Sequence, residues 1–84
     1  SVEHYLIIAR SVTYAQRMQR ALARAGLRSR IFRAPRDLTD RGCAYAVQIA
    51  AGDLSAALPV LRGEALDPVS IFLSQRGTFQ EVTP

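Results

Sequence analysis

The chain of 84 residues has little of what usually announces a function. It holds one cysteine and one histidine, and no lysine among its eleven basic residues. A lone cysteine cannot close an internal disulfide, so folding calls for no oxidising compartment and the cytoplasm is the expected location. Cys43 and His4 with no CxxC or HxxxH spacing do not make a zinc set, so no metal and no cofactor is expected. No apolar run approaches the roughly 20 residues of a membrane span, and no secretory signal is visible. Low-complexity tracts, linkers and repeats are missing as well, which leaves one domain over 1–84, with a core of about 4–74 and a tail of 75–84. The chain opens on Ser1 without a methionine, as a trimmed or tagged chain would.

What is present is a half-apolar chain with a net charge of +4. That charge permits attraction to acidic partners or nucleic acid and specifies neither. A domain this small buries a limited core, and a homo-oligomer is one way of adding to it. Arginine in place of lysine favours planar, bidentate recognition of anions.

His4 to Ala9 is a continuous apolar run of β-forming residues, expected as a central strand. Ser11 stands where a helix N-cap belongs, and Val12, Ala15, Met18, Leu22 and Ala25 recur at helical spacing before Gly26, the expected C-cap. Arg17, Arg20 and Arg24 lie on another face, read as a solvated flank. Leu27 to Arg33 is expected as an edge strand protected by Arg28, Arg30 and Arg33.

Ala44 to Ala50 alternates, with Tyr45, Val47 and Ile49 forming the apolar set. Asp53 is a candidate cap for a second helix whose inner face is Leu54, Ala57, Leu58 and Leu61, with Pro59 kinking or splitting it. Val69 to Ser74 alternates as a last strand, and Thr78 to Val82 in the tail can add a short one. The order predicts an α+β, ferredoxin-like βαββαβ fold: a four-stranded antiparallel sheet with two helices on one face.

Between the second and third strands lies Pro35-Arg36-Asp37-Leu38-Thr39-Asp40-Arg41-Gly42-Cys43, the longest piece without hydrophobic periodicity, expected as an exposed connection. Because the first two strands of this topology run parallel, the loop leaves the sheet at the end where the first helix begins. Cys43 is therefore expected beside Ser11, Val12 and Thr13, where unpaired amides and the helix dipole favour a thiolate. Arg10, Arg36 and Arg41 can add to this field. The plain alternative is that Cys43 fills the top of the third strand as a small apolar residue.

His4 opens the first strand, at the opposite end, which argues against a Cys-His pair. Asp37, Asp40, Glu64 and Asp67 are explained by turn capping and solvation. Arg41-Gly42-Cys43-Ala44-Tyr45 partly matches the third-strand signature of RNA recognition motifs, yet Cys43 replaces an aromatic and Gln48 another. The strand parity would also turn Tyr45 to the wrong face, so nucleic acid is not the expected partner.

Three pieces in order resemble the selenium/sulfur carrier protein-like family: a Tyr-Leu-Ile strand leading to Ser and a helix (Tyr5 to Ala15), the pair Ala25-Gly26 before the second strand, and Pro35-Arg36 leading through a polar loop to Cys43. The similarity runs from about His4 to Leu73. Here the loop ends Gly42-Cys43 where the family order is Cys-Gly, which sets the thiol one place nearer the third strand. The resemblance implies that Cys43 holds a persulfide or perselenide, loaded by a donor such as a cysteine desulfurase and passed to an acceptor enzyme. Arg36 and the amides of Ser11 to Thr13, with Arg10 and Arg41 nearby, would stabilise the terminal anion. The rival expectation is a non-catalytic interaction or small-ligand-sensing module with a structural Cys43, making oligomer contacts through the charged edge strand or the open sheet face.

Overall fold

A computed structural model describes residues 3–39 and 44–83. The elements are β1 (His4–Ala9), α1 (Val12–Arg24), β2 (Arg30–Arg33), β3 (Tyr45–Ala50), α2 (Leu54–Gly63), β4 (Ser70–Gln75) and β5 (Thr78–Val82), with 3-10 turns at Arg36–Leu38 and Ala51–Asp53. The fold is α+β: two helices and a five-stranded antiparallel sheet in the order β2-β3-β1-β4-β5. The expected four-stranded sheet is thus extended by β5, which pairs with β4 through a two-residue turn at Arg76 and Gly77. Both turn residues have positive φ, as the tight hairpin turns that match strand twist demand.

The apolar run of β1 places it at the centre, paired on both sides, and Leu6, Ile7, Ile8 and Ala9 are all buried. Its alternate residues serve two different layers. Ile7 and Ala9 join Val47 and Ile49 of β3 under Ala15, Met18 and Leu22 of α1 and Ala57 and Leu61 of α2. Leu6 and Ile8 face the other way and cluster with Ala46, Phe72, Ala34 and Ala44. Phe32, Val69 and Leu38 pack against this second cluster. The sheet face away from the helices is therefore not open. Leu38, on the 3-10 turn within the long β2–β3 connection, is part of what covers it.

The helices end by the same device. Ser11, in extended conformation, caps α1 with its side chain accepting from the Tyr14 amide. At the other end Leu27 N–H reaches Leu22 O and Gly26 N–H reaches Ala23 O, with Gly26 at φ 81°. This is the paired closure that satisfies the last carbonyls of a helix, and it requires a left-handed residue. In α2 the same bonds run from Leu66 to Leu61 and from Ala65 to Arg62, but the left-handed position at φ 56° is held by an alanine.

Several expectations need correction. Val12 and Ala25 are exposed, and Ala21 joins the buried stripe instead. Because α1 turns by about 100° per residue, Ala21 and Leu22 share its sheet side while the ends of the stripe drift off it. Asp53 makes no side-chain cap; the 3-10 turn before α2 carries the chain into the helix directly. Pro59 lies inside a single ten-residue α2, and it is exposed. β2 begins at Arg30 instead of Leu27, because Leu27 and Ser29 are drawn to α1, the first through the Leu22 closure and the second through a bond from Gln19.

Candidate functional site

The rungs of the sheet decide what meets the β2–β3 connection. Arg33 pairs with Tyr45, and Tyr45 pairs with Ala9. One continuous rung thus joins the end of β2, the start of β3 and the end of β1. Beyond it Ala34 N–H bonds to Ala44 O, so the connection leaves and re-enters the sheet at one place. Ala9 is followed at once by Arg10 and by Ser11, the first cap of α1. Both ends of the connection lie at the end of the sheet where α1 begins, as expected from the topology.

Of the residues expected at the site, Arg10, Ser11, Thr13 and Arg36 are described; Cys43 and Arg41 lie outside the described residues. Arg10, Thr13 and Arg36 are exposed, and Ser11 is half-buried. Ser11 Oγ already accepts the Tyr14 amide at 3.1 Å, which leaves its hydroxyl proton free to donate. Ser11 O accepts the first helical bond from Ala15 N–H. The amides of Val12 and Thr13 open the helix and point past it, as the first amides of any helix do.

The connection itself is only partly exposed. Pro35, at φ −55°, opens the 3-10 turn and its carbonyl accepts from Leu38 N–H at 3.1 Å. Arg36 and Asp37 face solvent, whereas Ala34 and Ala44 are buried and Leu38 is half-buried against the second cluster. An apolar side chain within a polar run is the signal for this tether, and reading the run as a solvated loop passes over it.

Arginine and tyrosine organise the rest of this end. The Arg10 guanidinium lies 4.8 Å from the Tyr14 ring centre, Arg17 lies 5.7 Å from the same ring, and Arg33 lies 5.8 Å from the Tyr45 ring. Each such contact supplies roughly 0.5–1 kcal/mol at an exposed site and holds a flexible cation in one place. Sequence reasoning missed Arg17, Arg33 and both tyrosines as members of this end. The spacing Arg10, Tyr14, Arg17 at helical intervals is the signal that could have found the first three-residue stack.

The flank of α1 does not act as one stripe. Arg17 stacks on Tyr14, Arg24 donates to both carboxylate oxygens of Glu64 at 2.7 and 2.6 Å, and Arg20 faces a hollow at the other end of the sheet. His4 is also at that far end, paired with Ala50 and Ser74, and it lines the same hollow. Tyr45 packs on the helix side of the sheet with Val47 and Ile49, opposite to the parity of an RNA recognition motif. Among the described residues no group of three or more histidine, cysteine or acidic side chains could hold a metal ion, and no helix is long and apolar enough to cross a membrane.

No curated protein and no solved structure matches the chain significantly. A family model described as "Putative Se/S carrier protein-like" matches residues 4–73, the span from the first residue of β1 into β4 that includes the whole β2–β3 connection. The chain belongs to this Se/S carrier protein-like family.

Proposed function

We propose that the protein carries sulfur or selenium on Cys43, within a ferredoxin-like βαββαβ body that β5 extends. Family membership supplies the class of activity, and the observation that carries the reading to this chain is the rung Arg33–Tyr45–Ala9. It returns both ends of the cysteine-bearing connection to the start of α1, where amides, a helix dipole and arginines all favour an anion.

The chemistry is a thiol exchange run twice. The Cys43 thiolate attacks the outer sulfur of a persulfide on a donor such as a cysteine desulfurase. A new S–S bond forms at Cys43, the donor's S–S bond breaks, and its electron pair leaves on the donor cysteine as thiolate. On delivery a nucleophile of the acceptor enzyme takes the outer sulfur, and the Cys43 thiolate leaves. Selenium follows the same path with Se in the outer position. No electrons are consumed and the carrier ends as it began. Arg36 and Arg10, with Arg41 two residues before the thiol in sequence and the hydroxyls of Ser11 and Thr13, are assigned to hold the terminal anion between the two exchanges.

Incubation with a cysteine desulfurase and cysteine, followed by intact mass, tests this. The expected product is one added sulfur on the native chain, removed by dithiothreitol and missing from Cys43→Ala. Arg36→Gln and Arg10→Gln should load more slowly while melting like the native protein. A native chain that gains no sulfur under these conditions, or gains it equally without Cys43, overturns the proposal.

A further inference from the structure

At the end of the sheet away from the cysteine connection, an open hollow of about 1060 Å³ lies between the C-terminal half of α1 and the end of β3. Its origin is the shortening of β2. The β2–β3 ladder stops at Arg30–Gln48, so Ile49 and Ala50 have no partner strand on that side and residues 27–29 swing toward α1. Ala23, Leu27, Ile49 and Ala50 give the hollow an apolar wall. Arg20, Arg28 and Arg30 stand around it, all exposed and none in an ion pair, since the ion pair among the described residues is Arg24 with Glu64. Ser29 Oγ, also in the wall, is buried without a hydrogen-bond partner. Asp53 is the single acid on the lining.

We infer that this hollow is a binding site for a small organic anion with an apolar body, its carboxylate or phosphate head on Arg20, Arg28 and Arg30 and its body on Leu27, Ala23 and Ala50. Apolar walls with a few polar groups are the usual make-up of a small-molecule site, and the volume of this open hollow is slightly above their usual range. Guanidinium forks prefer planar, multidentate oxyanions, and three of them with one opposing carboxylate select against cations. The site does not depend on Cys43, which belongs to the connection at the opposite end of the sheet.

The test is a titration of the full ¹⁵N-labelled chain with 4-phenylbutyrate, phenyl phosphate and the neutral 4-phenylbutanamide. The two anions are expected to shift the amides of Ala23, Leu27, Ser29 and Ala50 and to bind at least about tenfold more tightly than the amide, the minimum for one lost charge-assisted contact. Their ranking separates a carboxylate from a phosphate ligand. Arg28→Gln with Arg30→Gln, both exposed and so compatible with folding, should weaken the anions by about tenfold or more, and Asp53→Asn should tighten them. Cys43→Ala should leave all affinities unchanged. Equal binding of the neutral amide overturns the inference, as do shifts centred on Phe79 or the β2–β3 connection, or a glutamate-rich peptide that binds where neither small anion does.

Discussion

Tyr14 holds Arg10 on one side and Ala65 on the other: the guanidinium lies 4.8 Å from its ring centre, and its hydroxyl donates to Ala65 O at 3.1 Å. The start of α1, where the cysteine connection returns, is thereby tied to the end of α2. Tyr14→Phe keeps the ring under Arg10 and removes only the tie. Because that bond is exposed, the expected loss is small, about 0.5–1 kcal/mol by urea denaturation, with sulfur loading of Cys43 unchanged. Tyr14→Leu, which removes the aromatic face as well, should slow loading by freeing Arg10 and Arg17. Loading that falls equally in both variants would show that the hydroxyl and not the ring positions this end.

Ala65 and Gly26 occupy equivalent places in two helix endings, with φ of 56° and 81°. A side chain in the left-handed region costs roughly 1–2 kcal/mol, partly offset by the greater freedom that glycine has in the unfolded chain. Ala65→Gly is expected to stabilise the protein by about 0.5–1 kcal/mol, and Gly26→Ala to destabilise it by a similar or larger amount. Nothing lies within 4 Å of a Cβ built on Gly26, so any loss there comes from backbone conformation and not from a clash. Thermal melts of the two variants should move in opposite directions.

Leu38 is the tether of the β2–β3 connection to the far face of the sheet. A half-buried leucine contributes less than a core one, so Leu38→Ala should cost about 1 kcal/mol, against at least about 2 kcal/mol for the fully buried Leu22→Ala. Amide exchange distinguishes the two. Leu38→Ala should speed exchange at Ala34, whose N–H bonds across to Ala44 O, while leaving β1 protected. Uniform acceleration over β1 would instead make the connection part of the cooperative core.

Most of the fold was legible in the sequence because its signals were local. The apolar run His4 to Ala9, the Ser11 cap, the Gly26 closure and the alternation from Tyr45 to Ile49 each dictate one element, and each is present. The end of β2 and the start of α1 were placed together correctly by topology alone. What was not legible depended on tertiary competition. Leu27 and Ser29 alternate like strand residues, yet the bonds offered by Leu22 and Gln19 take them out of the ladder and open the hollow. Leu38 looked like part of a polar loop because no periodicity surrounds it, and the apolar face that receives it is assembled from β1, β3 and β4. Arg17, Arg20 and Arg24 share a helix flank in sequence, but only Arg17 finds its partner, Tyr14, on the helix itself; Glu64, which takes Arg24, and the hollow that Arg20 lines come from elements that a helical wheel does not contain.

The fifth strand is the least integrated part of the chain. It lies beyond residue 73, where the family match ends, and Thr78 to Glu81 are exposed, with Phe79 at 40 % of its full accessibility. Its attachment is the ladder to β4 and the turn at Arg76 and Gly77, where Arg76 carries φ 49°. A chain ended after Gln75 should therefore still fold, losing no more than about 2 kcal/mol, since hydrogen bonds exchanged for water contribute little net stability and few apolar groups of β5 are covered. Arg76→Asn should act in the opposite sense, stabilising the hairpin by a few tenths of a kcal/mol, about what a better turn residue brings. If the truncated chain unfolds, β5 is a structural requirement of the sheet; if it keeps its circular dichroism and still loads sulfur, the carrier body is complete at β4 and the outer edge of β5 is free for other use.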